Sequence, residues 1–101
     1  MDWAVYILKC KDQTLYTGIS KNVVMRFKNH SLGKGAKYTR GRLPLTLVYL
    51  ESCPSHQAAL KRELYIKQQS RKKKWDLISQ KKEESQKLWE KAKADSGEMN
   101  T

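Results

Sequence analysis

Apolar residues recur along the chain in short blocks, and the spacing inside each block predicts one kind of element. Trp3 to Cys10 (WAVYILKC) is rich in β-branched and aromatic residues, and Thr14 to Ser20 (TLYTGIS) repeats that character after the polar stretch Lys11-Asp12-Gln13, which predicts a β-hairpin. Asn22 can cap a helix with apolar positions Val23, Val24 and Phe27 that stops at Gly33-Lys34-Gly35. Lys34 to Arg42 has no periodicity and reads as a basic loop ended by Pro44. Leu45 to Glu51 (LTLVYLE) is a third strand, closed by Cys53-Pro54-Ser55, and Ser55 can cap a second helix from His56 to Gln69. A third helix follows Ser70 and runs to Lys82, packing through Trp75, Leu77 and Ile78; the charged remainder is expected to be a frayed polar helix, with Asp95 to Thr101 a disordered tail. The order is β-β-α-β-α-α, an α+β class in which the third strand joins the antiparallel hairpin after a helical crossing.

Composition narrows the partners. At 101 residues the chain has room for one domain with a modest core. Its 21 Lys and Arg against 10 Asp and Glu leave a formal charge of +11, and such an imbalance attracts polyanions at long range. Nucleic acid is the leading partner. An anionic membrane surface would call for a basic amphipathic helix with a strongly apolar face or a lipidation signal, and no lipidation signal is found. The longest apolar runs, Ala4 to Leu8 and Leu47 to Leu50, fall far short of the roughly 20 residues that span a bilayer. Met1-Asp2 lead directly into a strand-like segment instead of a signal peptide. Cys10 and Cys53 form no CxxC or Cys/His cluster, which favours neither zinc nor a disulfide framework. A cytoplasmic location is the expectation.

Several residues are poorly explained by folding alone. Glu63 stands among Ala59, Leu60, Leu64 and Ile66, the expected apolar side of the second helix. A carboxylate there is costly unless a cation or metal ion pairs with it; the plainer alternative is a border glutamate paired with Lys67 at i+4 or lying near Arg62. Arg26 and His30, four residues apart, share a stripe bordering the Val23/Phe27 core side, from which both can reach the rim of the sheet, although such pairs are commonly ordinary surface residues. Tyr6 and Tyr16 project from the same face if the hairpin loop has an odd number of residues, as with a loop at Asp12 to Thr14, and from opposite faces if the number is even. Gly18 weakens its strand without packing gain, which points to a ligand or another backbone approaching there.

Taken together, Ala4-Val5-Tyr6 and Tyr16-Thr17-Gly18, the following Arg26 and His30, the run GKGAKYTRGRLPLTLVY and the late Glu63 with Ile66-Lys67 resemble the GIY-YIG nuclease superfamily. The likeness is to its small stand-alone, UPF0213-like bacterial members and covers Asp2 to Ile78, leaving 79–101 as a charged extension and tail. Ala and Val replace Gly and Ile in the first tripeptide, and Thr replaces Ile in the second. The late Asn used by larger members has no counterpart, since Asn100 is the only Asn after His30.

The resemblance implies a small three-stranded antiparallel sheet flanked by helices, one divalent cation (Mg2+ or Mn2+) held by Glu63, and metal-dependent endonuclease hydrolysis of DNA phosphodiester bonds, structure-directed in repair or recombination. It assigns Tyr6, Tyr16, Arg26, His30 and Glu63 as catalytic. Arg26 braces a phosphate oxygen. Tyr6 is the candidate base toward water, although a phenol must be helped by nearby positive charge, and His30 is the alternative base or a proton relay. Tyr16 orients water or phosphate, and Gly18 is structural. Lys34, Lys37, Tyr38, Arg40 and Arg42, with Ser20 and Lys67, are the expected nucleic-acid contacts, positioning the backbone without reading bases, the alternative for the basic loop being a solvated, flexible segment. The run from Arg71 to Lys74 can add affinity or simply be a solvated face. The partner is duplex, branched or damaged DNA, with room for a targeting protein. Two other readings remain: a binding module that keeps the fold but does not cut, and a basic protein bound to RNA or ribosomes.

Overall fold

The computed structural model describes residues 2–97. Its elements are β1 (Trp3–Lys9), β2 (Leu15–Ser20), α1 (Val23–Ser31), α2 (Lys37–Arg40), β3 (Thr46–Cys53), α3 (His56–Lys67), α4 (Arg71–Gln80) and α5 (Lys82–Ser96). The three strands form one antiparallel sheet in the order β2-β1-β3. The most apolar segment, β1, therefore lies in the middle, and Ala4 to Leu8 are buried on both sides of the sheet. This arrangement explains why β1 reads as a continuous apolar run and not as an alternation.

The hairpin that starts the sheet sets the parity of everything after it. Its loop is Lys11-Asp12-Gln13, one residue earlier than the expected Asp12 to Thr14: Cys10 N donates to Thr14 O at 2.9 Å, and Gln13 N to Cys10 O at 2.9 Å. Gln13 takes the left-handed conformation (φ 69°) that commonly closes a three-residue hairpin. Asp12 Oδ1 accepts from Thr14 N at 3.2 Å and from the Thr14 hydroxyl at 2.5 Å. The loop is odd, so Tyr6 opposite Gly18 and Tyr16 opposite Leu8 share one face.

Helices cover both faces. Ala4, Tyr6, Leu8 and Leu50 pack with Val23 and Val24 of α1 and with Leu88 and Trp89 of α5. Val5, Ile7 and Tyr49 pack with Ala59 and Ile66 of α3 and with Ile78 of α4. Asn22 and Ser55 cap α1 and α3 as expected, accepting from Met25 N and Ala58 N. The thiols of Cys10 and Cys53 are buried and free, one on each face. Among the described residues no helix is long and apolar enough to cross a membrane.

Three expectations need correction. The basic loop holds a single helical turn, α2. The buried stripe of α3 is Ala59 and Ile66, whereas Leu60 and Leu64 are 44% and 58% exposed, because only positions spaced i, i+4 and i+7 from Ala59 can face the sheet. Glu63 falls on that stripe. Finally, α5 is packed and not frayed: Phe27 and Trp89 meet edge to face at 5.4 Å, and the buried Ser85 hydroxyl accepts from Leu50 N at 3.1 Å and reaches Leu50 O at 3.4 Å. It thereby satisfies the backbone of an edge strand that would otherwise be open to pairing. Asp95 and Ser96 are helical, and Gly97 at φ 83° ends the helix in the left-handed conformation; residues 98–101, including Asn100, lie outside the described residues.

Trp89→Ala is expected to cost about 2 kcal/mol of stability, since it removes a large, partly buried ring from the core. Urea unfolding checks this, and an unchanged midpoint would mean that α5 is an appendage after all.

Candidate active site

Tyr6 is at the centre of the sheet and 1% exposed. Its ring leans over Gly18: a Cβ at position 18 would lie 2.6 Å from the Tyr6 oxygen and 2.7 Å from Cζ, and 3.1 Å from Cε2 of Tyr16. The close approach expected at this glycine is therefore made by the Tyr6 ring, not by a ligand or another backbone. Any side chain at position 18 would push the phenol out of place.

His30, near the C-terminal end of α1, is fully buried instead of lying at a helix surface. Its Nε2 is 3.0 Å from the Tyr6 hydroxyl. Its Nδ1 is 3.0 Å from Thr39 Oγ1 in α2, and Ala36 N donates toward it at 3.4 Å. Around this bond the aromatic rings gather. The Tyr16 ring is 6.5 Å from that of Tyr6 and 5.4 Å from His30, and it stacks on Tyr38 at 6.1 Å.

Burial dominates the electrostatics. It pushes the Tyr6 phenol up to about 12, with the neighbouring Tyr16 and Glu63 adding to the rise and Arg26 opposing it. His30 is pushed down to about 4, first by burial and then by the charge of Arg26. Both shifts favour the neutral form. The positive help expected for Tyr6 is thus outweighed by desolvation. The charges of Arg26 and Glu63, from helices on opposite faces of the sheet, both reach the Tyr6 hydroxyl.

The remaining residues divide into two groups. Arg42 lies 4.0 Å over the Tyr38 ring, pairs with Asp12 at 3.1 Å and donates to Tyr38 O at 2.7 Å, so it braces the loop against the hairpin turn. Arg40 donates to Gly35 O at 3.3 Å. Ser20 accepts from Asn22 N at 3.0 Å, closing the turn into α1. Lys67 pairs with Glu63 at 3.4 Å, which is the i+4 partnership weighed from the sequence. Lys34 and Lys37 stand at the exposed surface of the loop. Sequence spacing missed Gly35, Ala36 and Thr39, which close over His30; the second glycine of Gly33-Lys34-Gly35 was the available signal.

A metal can be accommodated only sparsely. Among the described residues no three His, Cys, Asp or Glu side chains come together in a cluster. The Glu63 carboxylate, 19% exposed, offers hard oxygen donors suited to a largely hydrated Mg2+ or Mn2+. Among the described residues a zinc-type cage is not offered.

A three-stranded sheet carrying this Tyr/Tyr/His cluster between helices defines a small α+β domain with a buried polar cluster at its centre. The GIY-YIG catalytic domain matches residues 2–76. The chain is 54% identical over 77 residues to the UPF0213 protein CPE1444 of Clostridium perfringens, covering 76% of this chain and 83% of that protein. It is 51% identical over 78 residues to the UPF0213 protein NP_0776A of Natronomonas pharaonis, covering 77% and 92%. The solution NMR structure of the UPF0213 protein BH0048 from Bacillus halodurans superimposes with a TM-score of 0.55 at 49% identity, over 81% of this chain and 87% of that one. The chain belongs to the GIY-YIG family. Membership carries a nuclease-type function, DNA as the general substrate class and the family's general use of divalent metal ions.

The depressed His30 makes stability depend on pH. Unfolding exposes an imidazole that binds a proton near 6.5, whereas the folded one binds it only near 4. Its contribution is complete above the unfolded value and is lost as pH falls through the window between the two, by about 2 to 3 kcal/mol. Urea unfolding across that window should show this slope, and His30→Gln should flatten it.

Proposed function

We propose that the chain is a divalent-metal-dependent DNA endonuclease, structure-directed toward branched, nicked or damaged duplexes in repair or recombination. The observation that carries this reading is the convergence of Tyr6, Tyr16 and His30, drawn from two strands and a helix, within reach of the charges of Arg26 and Glu63.

Each catalytic need has a candidate. Arg26 braces a non-bridging phosphate oxygen with its fork of donors. Glu63 would hold Mg2+ or Mn2+ once Lys67 moves aside. When bound, such an ion supplies charge neutralisation at the leaving oxygen. Tyr6 takes the proton of the attacking water in its phenolate form, and Tyr16 orients the water or phosphate. Lys34, Lys37, Tyr38 and Arg40 line a strip for the phosphate backbone, with Arg42 holding Tyr38 in place. A cytoplasmic site of action and a targeting partner belong to the same proposal, the free thiols supporting the former.

A second reading, a nucleic-acid-binding module that does not cut, is favoured by one feature: Lys67 already neutralises Glu63. Labelled branched and nicked DNA with Mg2+ or Mn2+ decides between them. Cleavage is expected, with Glu63→Ala and Tyr6→Phe each lowering it at least 100-fold, roughly the contribution of a positioned acid, base or metal ligand. Nicking that survives both changes sinks the assignment. Binding without cleavage under either metal establishes the module, and strong preference for RNA would redirect the proposal to an RNA partner. Because burial pushes Tyr6 up to about 12, the rate should keep climbing through the alkaline range; a rate already level across the neutral range would point instead to the His30 imidazole, which is pushed down to about 4.

A further inference from the structure

Tyr49, Glu51 and Arg62 form a polar cluster that the candidate site does not use. Tyr49 and Glu51 are two residues apart on β3, so both side chains stand on the face of the sheet that α3 covers. Tyr49 is 2% exposed, and burial pushes its phenol up to about 12, so it keeps its proton and donates it to Glu51 Oε1. The same oxygen accepts from Arg62 Nε at 3.0 Å. The Arg62 and Glu51 side chains are 32% and 33% exposed, so the pair is shielded on most sides, and the guanidinium also lies 5.3 Å over the Tyr65 ring of its own helix. A directional bond thus ties α3 to the outer strand β3.

The rest of the helix is held less specifically. Its buried stripe is Ala59 and Ile66, whose contacts with the sheet are apolar and therefore non-directional. At about 100° per residue, Arg62 and Glu63 lie on opposite sides of that stripe, each about 50° from it. Arg62 faces β3. Glu63 faces the other outer strand, where its charge acts on the Tyr6 hydroxyl beside Gly18 of β2. Among the described residues the ion pair of Glu63 is with Lys67 of its own helix, and no strand residue hydrogen-bonds it. The stack of Trp3 on His56, at 4.3 Å, secures the first residue of α3, about two turns before Glu63. At the level of Glu63 the tie to the sheet is made by its neighbour in the chain, Arg62.

We propose that Arg62, anchored by Glu51 and Tyr49, is a positioning residue that sets the roll of α3 on the sheet and so holds Glu63 toward the site. The end of a helical side chain lies ~5 to 6 Å from the helix axis, so a roll of about 10° carries the carboxylate ~1 Å. A displacement of that size costs on the order of 100-fold in catalysis. The placement of the acid is thereby decided at the opposite edge of the sheet. The catalytic consequence rests on the assignment of Glu63 as the metal-holding residue; the roll itself does not.

NMR signals of the Tyr6 and Tyr16 rings in the intact chain, recorded without metal and then with Mn2+ alone, provide the test. Arg62→Met keeps most of the stem and drops the donor. Without metal it is expected to shift the Tyr6 signals in the direction that Glu63→Gln shifts them, since both withdraw the Glu63 charge from the phenol; Tyr6 signals that stay in place overturn the proposal. With Mn2+, broadening of the ring signals gives the affinity, which Glu63→Ala should abolish. Arg62→Met is expected to weaken it about tenfold, the scale for a residue that supports a metal ligand, and Arg62→Lys, which keeps a charge for Glu51, to restore it. Trp89→Ala, which lowers stability from the other face of the sheet, should leave it unchanged. An unaltered affinity in Arg62→Met, or an equal loss in Trp89→Ala, also overturns the proposal. Should Arg62→Met fail to fold, Glu51→Gln weakens the same bond at nearly the same volume and carries the same expectations. Absence of Mn2+ broadening in the wild type sinks the metal assignment of Glu63 and leaves the metal-free shifts to judge the roll.

Discussion

The bond between Tyr6 and His30 is the constraint on which the site depends, because it ties the central strand to the end of α1 through two buried side chains. A buried polar pair is stable only when every remaining donor and acceptor finds a partner. That requirement reaches outward: Nδ1 needs the Thr39 and Ala36 loop, the loop needs a glycine at position 35 to approach the ring, and the phenol needs a glycine at position 18 to lean across β2. Among the described residues no buried side-chain nitrogen or oxygen is left without a partner. The basic segment after α1 is therefore a clamp on the histidine as well as a strip of positive charge.

The same burial sets the chemistry. Desolvation holds both members of the pair neutral, and the charge of Arg26 only partly offsets it at Tyr6. A phenol that titrates near 12 is a strong base once deprotonated and a rare one beforehand. The nuclease assignment must therefore rely on positive charge arriving with the substrate complex. In the proposed reaction that charge would come from an ion held by Glu63, beyond what Arg26 already supplies.

Outside this cluster the fold is organised by coverage of a central apolar strand. The hairpin alone leaves β1 with one open edge and two open faces; β3 closes the edge, α1 and α5 cover one face, and α3 and α4 the other. Ser85 and Trp89 show that the charged C-terminal segment takes part in this coverage. Its polar composition concealed the role, since one buried hydroxyl and three apolar residues, Leu88, Trp89 and Ala92, are enough to dock a helix whose other faces are solvated.

Local rules carried much of the architecture. Strand propensity and helix capping by Asn22 and Ser55 were legible in the chain, because each depends on residues a few positions apart. The i, i+4 spacing places Arg26 and His30 on one stripe, whereas the sequence left the parity of the hairpin loop open, and the odd loop of the structure puts Tyr6 and Tyr16 on one face. Tertiary structure alone decided that His30 is buried, that Gly18 yields to the Tyr6 ring, and that Leu60 and Leu64 face outward while Glu63 shares the inward stripe. It also decided that the basic loop folds back onto the histidine. Those outcomes depend on which elements pack together across long stretches of chain, and no periodicity within one helix or loop encodes the neighbour it will meet.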